Sequence, residues 1–223
     1  MVSNDITLIT IMSILSVVPF IIAGGTCFIK FSIVLSMVKN ALGIQQAPSS
    51  LTLNGVALIL TAFVMMPVCE HISAYIENNH IDINSTTGLS RVFDQGLASY
   101  REYLVHYSDP NLIRFFDKVH QHQETQSVVP VSDPELINLP LITLMPAYAL
   151  SEIQSAFKIA FYLYVPFVVI DMIVSSVLLA LGMMMMSPVT ISVPIKLILF
   201  VSMNGWALLT KGLIGQYADL MTT

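Results

Sequence analysis

Few side chains in this sequence could do chemistry, and most of them stand alone. His120, His122 and Glu124 come nearest to a metal-ligand set. A spacing of two aligns side chains on one face of a strand but spreads them around a helix. The pattern here runs from helix into loop, so a solvated segment is the plainer reading and no metal or other cofactor is expected. Asp171 lies within an apolar run, where a charge costs a few kcal/mol and faces partners or water. It could relay protons, as in a transporter, or answer Lys196 or Lys158 on a neighbouring helix. Glu152, following Pro146, is a similar case and could pair with a lysine or arginine of another chain. No HExxH, CxxC, GxSxG, phosphate-cradling glycine loop or dinucleotide fingerprint occurs, which argues against an enzyme of conventional type.

The most unusual stretch is Gly182 followed by Met183, Met184, Met185 and Met186, then Ser187 and Pro188. Four consecutive methionines cannot share one face of a helix at about 100 degrees per residue, so a turn is expected there. Methionine is unbranched and polarizable and fills irregular gaps without imposing one packing. Copies meeting around an axis would make an apolar constriction that excludes water and ions yet deforms around something larger. Simple apolar packing is the competing reading.

The elements that must position these residues follow from composition. Of 223 residues, 55% are apolar and 10% charged, too few polar groups to coat a water-soluble particle. The net charge of −5, with nine Lys and Arg scattered singly, offers no basic patch, so nucleic acid is excluded as a partner. Cys27 and Cys69 sit in apolar runs and read as small buried hydrophobes rather than a disulfide or zinc pair. Residues 70–135 hold ten of the fourteen acids and all five histidines, which divides the chain into an apolar block 1–69, a polar insert 70–135 and a second apolar block 136–223.

Each apolar block holds two runs near the roughly 20 residues that cross a bilayer core as helix. These are Ile6 to Ile29, about Leu51 to Cys69, about Phe157 to Leu181, and Ile195 to Ile214. The expected fold is therefore all-α: membrane-associated helical hairpins plus a small helical extracytoplasmic insert. Pro19 and Pro166, in near-repeated Val-Pro-Phe contexts, would kink their helices, and Gly182 and Pro188 would bracket the turn. Lys30, Lys39 and Lys196 are placed at the short turns, which by the positive-inside rule puts those turns in the cytoplasm and the insert outside. Met1 to Thr10 lacks the basic start of a cleaved signal. Within the insert, Leu89, Phe93, Leu97, Tyr100, Leu104 and Tyr107 form a helical stripe. Asp109 and Pro110 start a second helix, with Leu112, Phe116 and Val119 on one face.

One set of residues carries a resemblance. Leu150-Ser-Glu-Ile153, Ala156-Phe157, Pro166-Phe167, Ile170-Asp171, Ser176-Val-Leu178, Gly182-Met-Met-Met185, Ser187-Pro188, Pro194, Lys196 to Phe200 and Gly205-Trp206 resemble the FliP/SctR family. Thr26 to Gly43 and Leu60 to Val68 fit as well. This family is the R-type subunit of the export gate in flagellar and virulence type III secretion, and the short insert looks closer to the virulence type. The resemblance implies a homo-oligomer, a pentamer, in the bacterial inner membrane. It would be joined by small S-type and T-type subunits and a switch subunit, and would meet inner-rod and secreted polypeptide substrates. It further implies a portal for unfolded chains, with hairpins forming a funnel partly lifted above the bilayer, and a methionine gasket at Met183, Met184, Met185 and Met186. Glu152, Lys158, Asp171 and Lys196 would then pair between helices or subunits. A small-solute or proton-coupled carrier, with Asp171 as coupling group and the Pro19 and Pro166 helices as the broken pair, is the alternative.

Overall fold

The computed structural model describes residues 12, 13, 16, 19–44, 46, 48–79, 96–124, 139–183 and 185–222, and among them only helices, turns and bends occur. In chain order the helices are α1 (Pro19–Gly25), α2 (Phe28–Ala41), α3 (Ser50–Asn78), α4 (Ala98–His106), α5 (Pro110–Glu124), α6 (Leu141–Ala180), α7 (Pro188–Ser202), α8 (Gly205–Gly215) and α9 (Ala218–Thr222). The chain forms two compact units, one of residues Met1–Ile29 with Met65–Glu152, the other of Lys30–Val64 with Ile153–Thr223.

The second unit holds the apolar bulk. In α2, Phe31, Val34, Leu35 and Val38 recur at three- and four-residue spacing and are all buried, each worth about 1.5–3 kcal/mol of burial. Phe31 meets the ring of Tyr217 edge-on at 5.9 Å. The helix ends in a Schellman motif: Ile44 N–H donates to the Lys39 carbonyl at 3.4 Å, Gly43 N–H to Asn40 at 3.0 Å, and Gly43 takes φ 76°. Next, Ser49 caps α3, its Oγ accepting the Thr52 N–H at 3.1 Å, and α3 continues unbroken through Pro67.

The first unit is built on tyrosines. Tyr103 and Tyr148 are buried and share a hydroxyl–hydroxyl hydrogen bond, while Tyr100 donates to the Gly25 carbonyl at 2.8 Å. That carbonyl lies where the helix breaks. There Thr26 Oγ1 donates to the Ile22 carbonyl at 2.5 Å and accepts the Phe28 N–H at 3.4 Å. Asp109 caps α5 through Oδ1, which accepts the Asn111 N–H at 2.8 Å, and Pro110 occupies the first helical position. The Asp109 N–H itself donates to Ser151 Oγ at 2.8 Å.

Several sequence expectations change. The first apolar run is not one helix, because it breaks at Thr26–Cys27, where Gly24 and Gly25 weaken helix continuity. The fourth run also divides: α7 and α8 meet at 61°, with Asn204 in the left-handed region at φ 52° accepting the Ala207 and Leu208 N–H groups. Among the described residues two helices, α3 and α6, are long and apolar enough to cross a membrane, or up to four such segments if each bent pair counts as one. Helix α6 begins at Leu141, sixteen residues before the apolar run that starts at about Phe157, and continues through Pro146 and Pro166.

Lys30, Lys39 and Lys196 are not turn residues but lie buried inside α2 and α7, which removes them as topology markers. The inward face of α5 is Ile113 and Asp117, flanked by half-buried Phe116 and His120, while Val119 is exposed. Cys27 is buried as expected, but Cys69 is exposed. Leu89 and Phe93 lie outside the described residues.

Candidate functional site

The methionine segment is a turn, and its sequence explains why. Helix α6 ends in a second Schellman motif, with Met183 N–H donating to the Leu178 carbonyl at 3.0 Å and Gly182 N–H to Leu179 at 3.0 Å. Gly182 takes φ 73°, open to glycine at no steric cost. Ser187 then stands as the N-cap of α7 in an extended conformation, with Pro188 pre-set for the first helical position. Between these two ends Met183, Met185 and Met186 are exposed, with Met186 N–H returning to the Met183 carbonyl at 3.3 Å. Met184 lies outside the described residues.

Beneath the turn, α6 and α7 are joined by charge. Lys196 Nζ lies 2.6 Å from Asp171 Oδ2 and also donates to the Ala41 carbonyl at 3.2 Å. One ammonium thus ties α7 both to α6 and to the end of α2. A lysine buried this deeply needs such partners, since an unpaired buried charge costs several kcal/mol. Beside the pair, Val168, Asp171, Met172, Ser175, Ser176, Pro188 and Val189 line a cavity of about 450 Å³ open to the outside of the unit. Lys158 is exposed on α6. Glu152 is fully buried in the other unit, beside the tyrosines. Of the four charged residues singled out in the sequence, the structure therefore joins Asp171 and Lys196. Pro19 opens the described part of α1, and Pro166 lies inside α6 on its exposed side.

Two groups escaped the sequence reading. Lys30, taken as a turn residue, donates to Gln216 Oε1 at 3.3 Å and sits 4.7 Å above the Tyr217 ring, a cation–π contact that holds the C-terminal segment against α2. Its placement among Phe28, Ile29 and Phe31 was the available signal. The second group is the aromatic cluster of Tyr100, Tyr103, Tyr107 and Tyr148. Tyr103 contacts both Tyr107 and Tyr148 with ring centroids 5.3 and 5.2 Å apart. Burial pushes the Tyr100 phenol up to about 12, and burial, followed by the nearby Cys27, raises Tyr103 well above the ordinary tyrosine range. The three-and-four spacing of Tyr100, Tyr103 and Tyr107 announced a shared face. His120 is half-buried on α5, and no three His, Cys, Asp or Glu converge among the described residues.

The FliP family profile matches residues 11–213. Surface presentation of antigens protein SpaP of Salmonella typhimurium is 56% identical over 222 residues, covering 98% of this chain and 99% of the relative. Yop proteins translocation protein R of Yersinia pestis is 40% identical over 215 residues, 96% of this chain and 97% of the relative. Harpin secretion protein HrcR of Erwinia amylovora is 38% identical with the same coverage.

Proposed function

Since this chain belongs to the FliP family, we propose that it is a pore-forming core subunit of a type III secretion export gate, and that Met183, Met184, Met185 and Met186 seal the idle portal. The observation that carries this reading is the turn itself. The thioethers of Met183, Met185 and Met186 stand exposed between two helix ends, where another molecule or another copy can cover them. Brought together around an axis, they would exclude water while idle and yield to an unfolded chain, because methionine fills space without fixing one arrangement.

On this reading the protomers form a pentamer with small S-type and T-type subunits and the switch subunit, and take up inner-rod and secreted polypeptides. The bacterial inner membrane is the setting, with insert 70–135 on the periplasmic side. Its acidic, histidine-rich composition supports a solvated location. The long apolar faces of α6 and α7, including Phe157, Phe161, Ile173, Val177, Ile198 and Val201, are exposed in the single chain and call for a neighbouring helix or lipid. Lys158, exposed on α6, is assigned to a contact made on assembly, whereas Glu152 is enclosed within its own unit.

The test is to replace Met183 to Met186 by alanine and record ionic conductance of the assembled, idle complex in a planar bilayer. A raised leak with normal assembly is expected, and an unchanged seal overturns the gasket.

A further inference from the structure

A seal made of thioethers differs from one made of leucines in a single chemical respect: sulfur has a lone pair that oxidants attack. Whether this matters depends on access, and access is greatest at Met185. Met185 is 101% exposed, above Met172 at 66%, Met66 at 56% and Met203 at 53%, while its neighbours Met186 and Met183 are 44% and 39% exposed and Met65, packed inside α3, is 8% exposed. No side-chain atom crowds the approach from the glycine side, since nothing lies within 4 Å of a Cβ placed on Gly182. The turn is also short and pinned at both ends, by the Schellman bonds behind it and by the Ser187–Pro188 helix start ahead. The Met185 side chain is therefore held out from the unit.

We infer that the Met183–Met186 turn is an oxidation site, led by Met185, at which a peroxide-class oxidant converts thioether to sulfoxide and thereby loosens the idle portal. The step balances. A sulfur lone pair attacks one oxygen of hydrogen peroxide, an S–O bond forms as the O–O bond breaks, and the departing hydroxide collects a proton to leave as water. Sulfur loses two electrons and the peroxide gains them. The product is a strongly polar S–O group in place of an apolar one, and it is reversible by methionine sulfoxide reductase. A constriction that holds by staying dry loses that property when its lining can bind water. The consequence for leakage rests on the seal proposed above, whereas the chemical site rests on exposure alone.

The assembled complex is treated with hydrogen peroxide and mapped by mass spectrometry. Idle conductance is recorded before treatment, after it, and after addition of the reductase. Met185 should gain one oxygen before Met172, Met66 and Met203 and well before Met65, and the idle leak should rise about tenfold and fall again on reduction. A variant carrying M183L, M185L and M186L, compared with its own untreated leak, should lose most of the peroxide increment. A turn that stays reduced in the assembled complex overturns the inference, as does a turn fully oxidised with no change in leak. In that last case the alanine replacement of Met183 to Met186 separates the causes. If the alanine variant leaks, the seal stands and oxidative loosening alone is wrong; if it seals, both fall together.

Discussion

Two turns in the second unit, at Gly43 and at Gly182, are closed by the same backbone device and meet opposite surroundings. Each glycine takes a left-handed φ, 76° and 73°, and each is bracketed by the paired bonds of a Schellman motif. Yet a Cβ on Gly43 would come within 2.6 Å of the Val193 side chain, while one on Gly182 would meet nothing within 4 Å. The first turn is a packing joint against α7. The second projects its methionines outward. Identical local rules thus produce one buried corner and one open display, and what separates them is the tertiary neighbour.

The comparison can be broken by substitution. Gly43→Val should cost most, about 3–4 kcal/mol, adding left-handed strain to over-packing against Val193; a thermal melt of the detergent-solubilised protein reads it. Asp171→Ala comes next, at about 2 kcal/mol, because it strips Lys196 of its carboxylate while leaving the Ala41 carbonyl. The figure stays below that of a fully enclosed pair, since the Asp171 side chain is 40% exposed. Charge reversal at Asp171 should block assembly, scored by native gel, before it alters conduction; complexes that assemble normally but conduct differently would favour a proton relay instead. Gly182→Ala should cost only about 1 kcal/mol, the left-handed strain alone. Met185→Ala should leave the melting temperature unmoved while raising the idle leak. Equal costs for one and the same alanine substitution at Gly43 and at Gly182 would show that the neighbour does not matter.

A third break sharpens the contrast through pH. At Gly25 the chain is held by a side chain, Tyr100, instead of backbone bonds. Its phenol is raised from 10.0 to about 12 in the folded state, so the stabilising neutral form is complete below pH 10 and is lost as pH climbs through 12. Hydrogen exchange at Ile22 to Phe28 should accelerate across that window in the native chain, and Tyr100→Phe should flatten the profile.

Much of this was legible beforehand. An all-helical fold followed from the apolar runs, and the turn at Gly182 followed from four methionines that no helix face accommodates, bounded by Gly on one side and Ser-Pro on the other. The start of α5 was written in Asp109 and Pro110. What could not be seen was where a lysine belongs. Lys30, Lys39 and Lys196 look like turn charges in a hydropathy reading, but each long stem threads apolar surroundings and its ammonium ends buried within helical packing. The breaks at Thr26–Cys27 and Met203–Asn204 were hidden for a related reason, because apolar composition continues across them while hydrogen bonding does not. On α5 the apolar residues outnumber the positions facing inward, so counting them selected Leu112 and Val119 over Ile113.

The bond from Lys196 to the Ala41 carbonyl spans 155 positions of sequence. As the polypeptide emerges from the ribosome, the end of α2 is made early and its acceptor waits until α7 has been synthesised. The second unit therefore closes this corner only once α7 has been synthesised.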